Sequence, residues 1–357
     1  MWVLTKCRTQ RRGQLVTIMI MTFELSGEHE TLPKSEVLAC MRALGIEHRV
    51  AQSSEQCLML DINGSTGISR ILAARLAMTH RIISGIFECD ISRSGILKSA
   101  RDAEIRVPSG ETFSVRVKQI QRSHISSTDL EKRIGEVIFE HNPGSRVNLK
   151  DPDHSFRLLV TNRSCVFGEV LASVDRKQFW ERKPHKKPFF YPGTILPEVS
   201  RAIVNLCEIR SNDLVLDPFC GTGGVLVEAG MIGARVIGID VQESMLPGAE
   251  MNLEDSGSEY HVLCGDACNL PIADHSVDAV VTDPPYGRSA VVMAESVESL
   301  YRGALLEIYR VLKRGGRAVV ISDFELLGAD DAGFVVAGRH AQRVHRSLTR
   351  YVVVLRK

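Results

Sequence analysis

Long apolar runs are missing from this 357-residue chain. The longest early one, Leu15 to Met21, falls well short of the roughly 18 residues that a membrane-spanning helix needs. That excludes such a helix and leads us to expect a soluble, cytoplasmic protein with no membrane partner. Lys6, Arg8, Arg11 and Arg12 precede no apolar segment or small-residue cleavage site, which argues against a secretory signal. Residues 1–18 therefore read as a basic extension, either disordered or the product of a start chosen too early. Paired metal-binding cysteines are also missing. The nine cysteines are odd in number and irregularly spaced from Cys7 to Cys268, and Cys264 and Cys268 are too far apart for a CxxC knuckle. Reduced thiols and no metal are expected. No GK[ST] follows a glycine loop and no GxGxxG opens a helix, so nucleotide hydrolysis loses its phosphate cradle and a dehydrogenase loses its fingerprint.

What is present is 44% hydrophobic residues, enough for cores in two or three domains. The net charge of +1 hides an asymmetry. Residues 1–190 carry 29 Lys and Arg against 21 Asp and Glu, a balance of +8, whereas residues 191–357 carry 15 against 22, a balance of −7. A basic portion that meets a polyanion, joined to a portion with other work, would produce this division.

Residues 19–89 read as β-α-β-α-β in a small ferredoxin-like α+β layout: strand Val16 to Leu25, a helix through Leu32 and Leu44, strand Cys57 to Ile62, helix Ile68 to Met78 and strand Arg81 to Glu88. A second α+β layout occupies residues 90–172, with strand Phe113 to Val117, a helix bearing Leu130, Ile134, Val137 and Ile138 on one face, and three short strands. Residues 173–192 form a proline-punctuated linker. Arg176, Lys177, Arg182, Lys183, Lys186 and Lys187 there alternate with Phe179, Trp180, Phe189, Phe190 and Tyr191. Such a stretch either contacts unpaired nucleic acid through phosphates and stacked bases, or is a stiff hinge whose aromatics dock on a neighbouring domain. Residues 193–357 alternate strand and helix as a doubly wound, mostly parallel α/β sheet, ending in an antiparallel hairpin of Phe334 to Ala337 and Tyr351 to Leu355.

Ligands in doubly wound sheets bind at the carboxyl edge of the strands. The stretch LVLDPFCGTGG, Leu214 to Gly224, puts Asp217 at a strand end and then Gly221, Gly223 and Gly224, where backbone can approach a bound molecule closely. Asp240 ends the next strand, placed to take both hydroxyls of a ribose. Asp266 and Ala267 follow the third strand, where a carboxylate can accept from an adenine amino group and a backbone amide can meet a ring nitrogen. Together they describe a nucleoside with a charged amino-acid tail, and S-adenosylmethionine is the expected cofactor. Asp283-Pro284-Pro285-Tyr286-Gly287 follows the strand VDAVVT. Two prolines remove backbone donors, leaving the Asp283 carboxylate and the Pro284 carbonyl as acceptors suited to an exocyclic amino group, with Tyr286 a face for a flipped base.

DPPYG together with DPFCGTGG resembles the amino-methyltransferases. RKPHKKPFFYPGTILPEVSRAIVNL, RVHRSLTR from Arg343 to Arg350, FELSGEHETLP and RVNLKDPD narrow the resemblance to the archaeal THUMP-containing tRNA guanosine-N2 methyltransferases, over nearly the whole chain from Met21. That resemblance implies a Rossmann-like class I methyltransferase domain preceded by a ferredoxin-like and THUMP RNA-binding module, with tRNA as partner and guanosine 10 as target. It also implies that Asp283 orients the amino group, that Tyr286 stacks, and that Asp217, Asp240 and Asp266 hold the cofactor. The core motif by itself leaves adenine N6, cytosine N4 and ribosomal guanine open, as well as an RNA-binding protein with an inactive catalytic domain. A monomer is expected because one chain holds both portions; a small activating partner protein stays open. The arginines at 343, 346 and 350 read either as RNA contacts or as ordinary hairpin residues.

Overall fold

Phe23, Leu58, Leu60 and Ile82 are buried in strands that pair, because a strand taken out of water must satisfy its backbone through neighbours. The computed structural model describes residues 2–3, 7–11, 14–122, 124–286, 296–326, 328–346 and 348–357. It divides into two compact units: residues 1–34, 45–75 and 79–175, and residues 35–44, 76–78 and 176–357.

The elements from the start of the chain to Ser173 are β1 (Trp2–Val3), β2 (Cys7–Arg11), β3 (Gln14–Leu25), α1 (Leu32–Ala43), β4 (His48–Ser54), β5 (Cys57–Asn63) and α2 (Ile68–Arg75). There follow β6 (Thr79–Cys89), α3 (Arg93–Asp102), β7 (Thr112–Gln119), α4 (Ser127–His141), β8 (Arg146–Val147), β9 (His154–Val160) and β10 (Cys165–Ser173). One sheet runs β4-β5-β3-β6-β10-β9-β7-β8, with β2 paired to β3 and β1 to β6. The two layouts that the sequence suggests thus share a sheet, joined where β6 and β10 pair antiparallel. Gly168 makes that junction possible, since a Cβ there would lie 2.0 Å from the carbonyl oxygen of Ser84. Phe87, Phe156 and Phe167 stack beside it at centroid separations of 5.0 and 5.8 Å.

Three differences from the sequence reading have local causes. The leader, where described, is paired strand: Cys7–Arg11 runs antiparallel to the first residues of β3, so backbone pairing orders what composition reads as an extension. Strand β4 is mostly polar and has no buried residue, so hydrophobic alternation does not reveal it. Helix α3 is short and polar on average, but Ser92 caps it through Gly95 N at 3.0 Å, and Ile96, Leu97 and Ala100 are buried.

The second unit continues with α5 (Lys177–Glu181), a 3₁₀ turn (Pro184–Lys186), α6 (Pro197–Leu206), β11 (Leu214–Asp217), α7 (Gly224–Gly230), β12 (Arg235–Asp240), α8 (Leu246–Asp255) and β13 (Tyr260–Cys264). It ends with β14 (Val277–Thr282), α9 (Val297–Val311), β15 (Leu312–Ser322), β16 (Val335–His345) and β17 (Leu348–Arg356). The strand order is β13-β12-β11-β14-β15-β17-β16, parallel from β13 to β15, with β17 antiparallel to both of its neighbours. Strand β11 sits where the order reverses, with β12 on one side and β14 on the other, which is the switch point where a crevice opens at the carboxyl ends. The terminal hairpin is longer than expected. Arg339 to His345 are strand, so the expected long connection shrinks to a turn. Among the described residues no helix is long and apolar enough to cross a membrane.

Candidate active site

At the carboxyl edge of the second sheet a cavity of about 240 Å³ is lined by Asp217, Gly221, Asp240, Asp266, Ala267 and Asp283. Residues that the sequence places at the ends of four strands therefore meet in one space. Each acid reaches it because its strand stops there: β11 ends at Asp217, β12 at Asp240, β14 one residue before Asp283, and β13 two residues before Asp266.

Asp217 is buried. Its Oδ1 accepts from Thr282 Oγ1 at 2.7 Å and from the amide of Phe219 at 3.1 Å. Burial nevertheless pushes its pKa up to about 7, outweighing those two bonds, and the neighbouring Asp283 and Asp240 push in the same direction. Asp240 accepts from Gly221 N at 2.8 Å on Oδ2 and from Gln242 N at 2.9 Å on Oδ1. Both oxygens are oriented by backbone, and each retains acceptor capacity for a ligand hydroxyl. Asp266 is exposed and uses Oδ1 to accept from Cys268 N at 2.8 Å, leaving Oδ2 for an amino donor. Gly221 has φ +48° and Gly223 φ +71°, the left-handed region that glycine enters without cost. Gly221 borders the cavity, whereas Gly223 shapes the turn from behind, donating to Cys220 O at 2.7 Å.

Asp283 is half-buried, and desolvation raises its pKa to about 6. The Tyr286 hydroxyl donates to its Oδ1 and opposes that rise, as does the Arg350 guanidinium; Asp323 reinforces it. Tyr286 is therefore a hydrogen-bonding partner of the acid. Pro284 is buried, and Pro285 is the proline that lines the cavity. Gly287 lies outside the described residues.

The basic stretch before the sheet separates into inward and outward members. Arg182 is not an exposed phosphate contact: it makes a two-pronged ion pair with the fully buried Glu228, Nε to Oε1 at 2.8 Å and Nη2 to Oε2 at 3.2 Å, and Arg201 pairs with the same carboxylate at 2.9 Å. Lys187 is half-buried beside this group, and desolvation lowers its pKa. Lys177 and Lys186 are exposed. Lys183 and Lys186 hold their ammonium groups 3.9 and 5.1 Å from the ring centre of the exposed Trp180, and Arg176 is half-buried. The backbone of Phe189 is clamped by Asn252, whose Nδ2 also donates to Thr222 O at 2.9 Å, and its ring fills the space left by the missing side chain of Gly248. Here the docking alternative holds.

Sequence reasoning missed several residues of the cavity. Tyr191 comes from the stretch read as a linker, Thr194 from just beyond it, and Gln242, Met245 and Leu300 from helix starts that carry no distinctive motif. Thr282 had a readable signal, a polar residue closing an apolar strand directly before Asp283. Arg350 was marked only as one of three hairpin arginines, with nothing to set it beside Asp283, because it lies far along the chain.

The donor set suits S-adenosylmethionine: acids at the ends of β11 and β12 and one after β13, a glycine turn with open space at Gly221, and a mostly apolar cavity. Residues 184–351 match the RMKL-like methyltransferase domain, and residues 98–168 match the THUMP domain. The chain is 36% identical over 344 residues to the tRNA (guanine(10)-N2)-dimethyltransferase of Methanothermobacter thermautotrophicus, covering 95% of this chain and 100% of that protein. It is 41% identical over 250 residues to the tRNA (guanine(10)-N2)-dimethyltransferase of Pyrococcus abyssi, covering 68% of this chain and 74% of that one. Among solved structures, TrmN from Thermus thermophilus aligns over 95% of this chain and 99% of its own, with a TM-score of 0.55 at 22% identity, a likeness of fold. The expected fold holds: a class I methyltransferase sheet preceded by a THUMP domain.

Proposed function

The chain belongs to the tRNA (guanine(10)-N2)-dimethyltransferase family, and on that premise we propose that it methylates N2 of guanosine 10 in tRNA, giving N2-methyl- and then N2,N2-dimethylguanosine. The observation that carries this reading is the meeting of Asp283 with Asp217, Asp240 and Asp266 in one cavity, so that an amino-group acceptor borders the place for a methyl donor. When bound, S-adenosylmethionine supplies a methyl carbon activated by a neighbouring sulfonium.

The residues contribute position and electrostatics. Aniline-like amino nitrogens are weak nucleophiles, so orientation and hydrogen-bond acceptance must supply much of the rate. Asp283, ionised, accepts an N–H of the guanine amino group and aims its lone pair into the cavity; as nitrogen gains the methyl that the sulfonium sulfur gives up, the carboxylate receives that proton and passes it to solvent. Tyr286 holds that carboxylate through its hydroxyl. Asp240 and Asp266 orient the nucleoside, and Asp217 faces the positive tail. The same arrangement accepts a second methyl, since N2-methylguanine keeps one N–H for Asp283. The exposed Lys177 and Lys186, the half-buried Lys183 beside them, and the basic first half of the chain meet tRNA phosphates. The enzyme acts in the cytoplasm, without a metal, as a monomer.

The test is incubation of the purified protein with S-adenosylmethionine and an unmodified tRNA transcript, followed by nucleoside mass spectrometry of the digest. New N2-methyl- and N2,N2-dimethylguanosine at position 10 supports the reading. A methylated adenine or cytosine, or no product from tRNA while cofactor binding is intact, overturns it.

A further inference from the structure

Building on that reading, we propose that Arg350 is a positioning residue of the reaction, tying the cavity-lining loop at Gly193 to the Tyr286–Asp283 pair so that the amino-group acceptor and the cavity wall are held as one arrangement. Arg350 sits early in β17, next to Tyr351, which pairs with Ser322 at the carboxyl end of β15. The last strand runs antiparallel to β15, so its beginning arrives at the same edge of the sheet at which the parallel strands end. A cation from the far end of the chain is thereby delivered to the active edge.

Three observations converge on this side chain. Its Nη2 donates to the carbonyl of Gly193 at 3.1 Å, and Gly193, with φ +94°, lies in the loop from Tyr191 to Thr194 that borders the cavity. Its guanidinium lies near enough to the Tyr286 hydroxyl and the Asp283 carboxyl to favour the ionised form of each, and that hydroxyl itself donates to Asp283. Its Nε is buried and has no hydrogen-bond partner among the described residues, a costly placement for a side chain with a surface role alone. A guanidinium anchored on the Gly193 carbonyl beside the phenol–carboxylate pair polarises the phenol toward the acid and favours one direction of the acid.

The electrostatics agree with the geometry. The groups facing Asp283 are Tyr286 on its own loop, Arg350 on β17, Asp323 after β15, Asp217 at the end of β11 and Tyr301 on α9. Arg350 is the one cation named among them, and it works against the burial and the Asp323 charge that favour protonated Asp283. Removing it raises the Asp283 pKa and leaves the phenol free to turn. It also separates Arg350 from Arg343 and Arg346 of the same hairpin, with which the sequence groups it as a surface patch.

The experiment measures kcat and KM for tRNA against pH in the full-length wild type and in Arg350→Gln, Arg350→Lys and Arg346→Ala, alongside tRNA affinity at two salt concentrations. Titration of the Asp283 carboxyl by carbon NMR is followed in the wild type and Arg350→Gln. Expected for Arg350→Gln are a kcat lower by roughly 10- to 100-fold, an acidic limb moved to higher pH, a parallel rise of the carboxyl titration and unchanged tRNA affinity. Arg350→Lys keeps the charge but not the fork, and should restore the limb more than kcat. Arg346→Ala should leave both as in the wild type. If Arg350→Gln weakens tRNA binding and flattens its salt dependence while the limb and the carboxyl titration stay put, Arg350 is an RNA contact and the proposal is wrong; unchanged kinetics also overturns it. A wild type that methylates no RNA overturns the functional reading instead, and the carboxyl titration then decides Arg350's link to Asp283 by itself.

Discussion

The amide of Gly221 donates to Oδ2 of Asp240 at 2.8 Å, so the glycine turn after β11 is fastened to the end of β12 by the residue expected to take the ribose. The same carboxylate therefore builds the site and binds in it. Replacing Asp240 by Ala removes two backbone hydrogen bonds and the hydroxyl acceptor together. Hydrogen bonds to a charged group are worth about 1.5–3 kcal/mol each, so S-adenosylmethionine affinity should fall by at least about 10- to 100-fold. Calorimetric titration checks this, and a Kd within about twofold of the wild type would remove Asp240 from the binding set.

Asp217 makes a pH-dependent prediction. Its folded pKa of about 7 lies above the ordinary carboxylate value, so the folded state prefers the protonated form. Its contribution to stability is therefore full below the unfolded pKa of about 3.9 and lost as pH rises through about 7. In the ligand-free protein Asp217→Asn should flatten the fall of Tm between those pH values. Cofactor affinity should run the other way, strengthening with pH up to about 7 and then levelling, because only the ionised acid attracts an ammonium. An Asp217→Asn variant whose Tm and affinity keep the wild-type pH dependence would refute the assignment.

For Asp283 the chemistry itself should titrate. Turnover with tRNA should rise through about pH 6 as the carboxyl ionises. Asp283→Asn keeps shape and cofactor affinity but turns one acceptor oxygen into a donor facing the amino group, and single-turnover rates should fall by roughly 10²- to 10³-fold. Near-normal turnover would show that another group receives the amino hydrogens.

The basic stretch separates into two classes of variant. Arg182→Ala leaves Glu228 fully buried with Arg201 as its remaining partner, and should destabilise by about 2 kcal/mol, seen as a lower Tm, while the folded protein still binds tRNA. Lys183→Glu with Lys186→Glu should leave Tm nearly unchanged and weaken tRNA binding, with a shallower salt dependence. The reverse pattern would mean that the inward and outward assignments are exchanged.

Truncation tests how the second unit is made. The buried Glu36 accepts from the amides of Ala77 and Met78 at 2.8 Å each and from Asn205 Nδ2 at 2.9 Å, and residues 35–44 and 76–78 belong with 176–357. A fragment of residues 173–357 loses those segments and leaves Asn205 and its neighbours on α6 uncovered. It should show a lower Tm and bind dyes specific for exposed apolar surface. A fragment as stable as the second unit in the intact chain would make those segments dispensable.

The local pattern of residues carried a great deal. Alternating apolar strands, the glycine turn after Asp217 and the acids at successive strand ends implied a doubly wound sheet with its ligand at the carboxyl edge, because period and turn chemistry are properties of neighbours in sequence. The same pattern marked Asp240, Asp266 and Asp283 before any coordinates, since a strand end is readable from where the apolar run stops. It did not reveal β4, which is held by backbone pairing and by polar contacts such as Arg49 with Asp61, nor the junction of β6 with β10, which joins residues about 80 positions apart. Nor could it tell Arg182 from Lys183. One turns inward to Glu228 and the other outward over Trp180, and only the packing of α5 against α6 decides which way each points. Arg350 shows the same limit most clearly: a charged residue in a hairpin reads as surface, and it becomes part of the catalytic edge only because an antiparallel strand carries the end of the chain back to where the parallel strands finish.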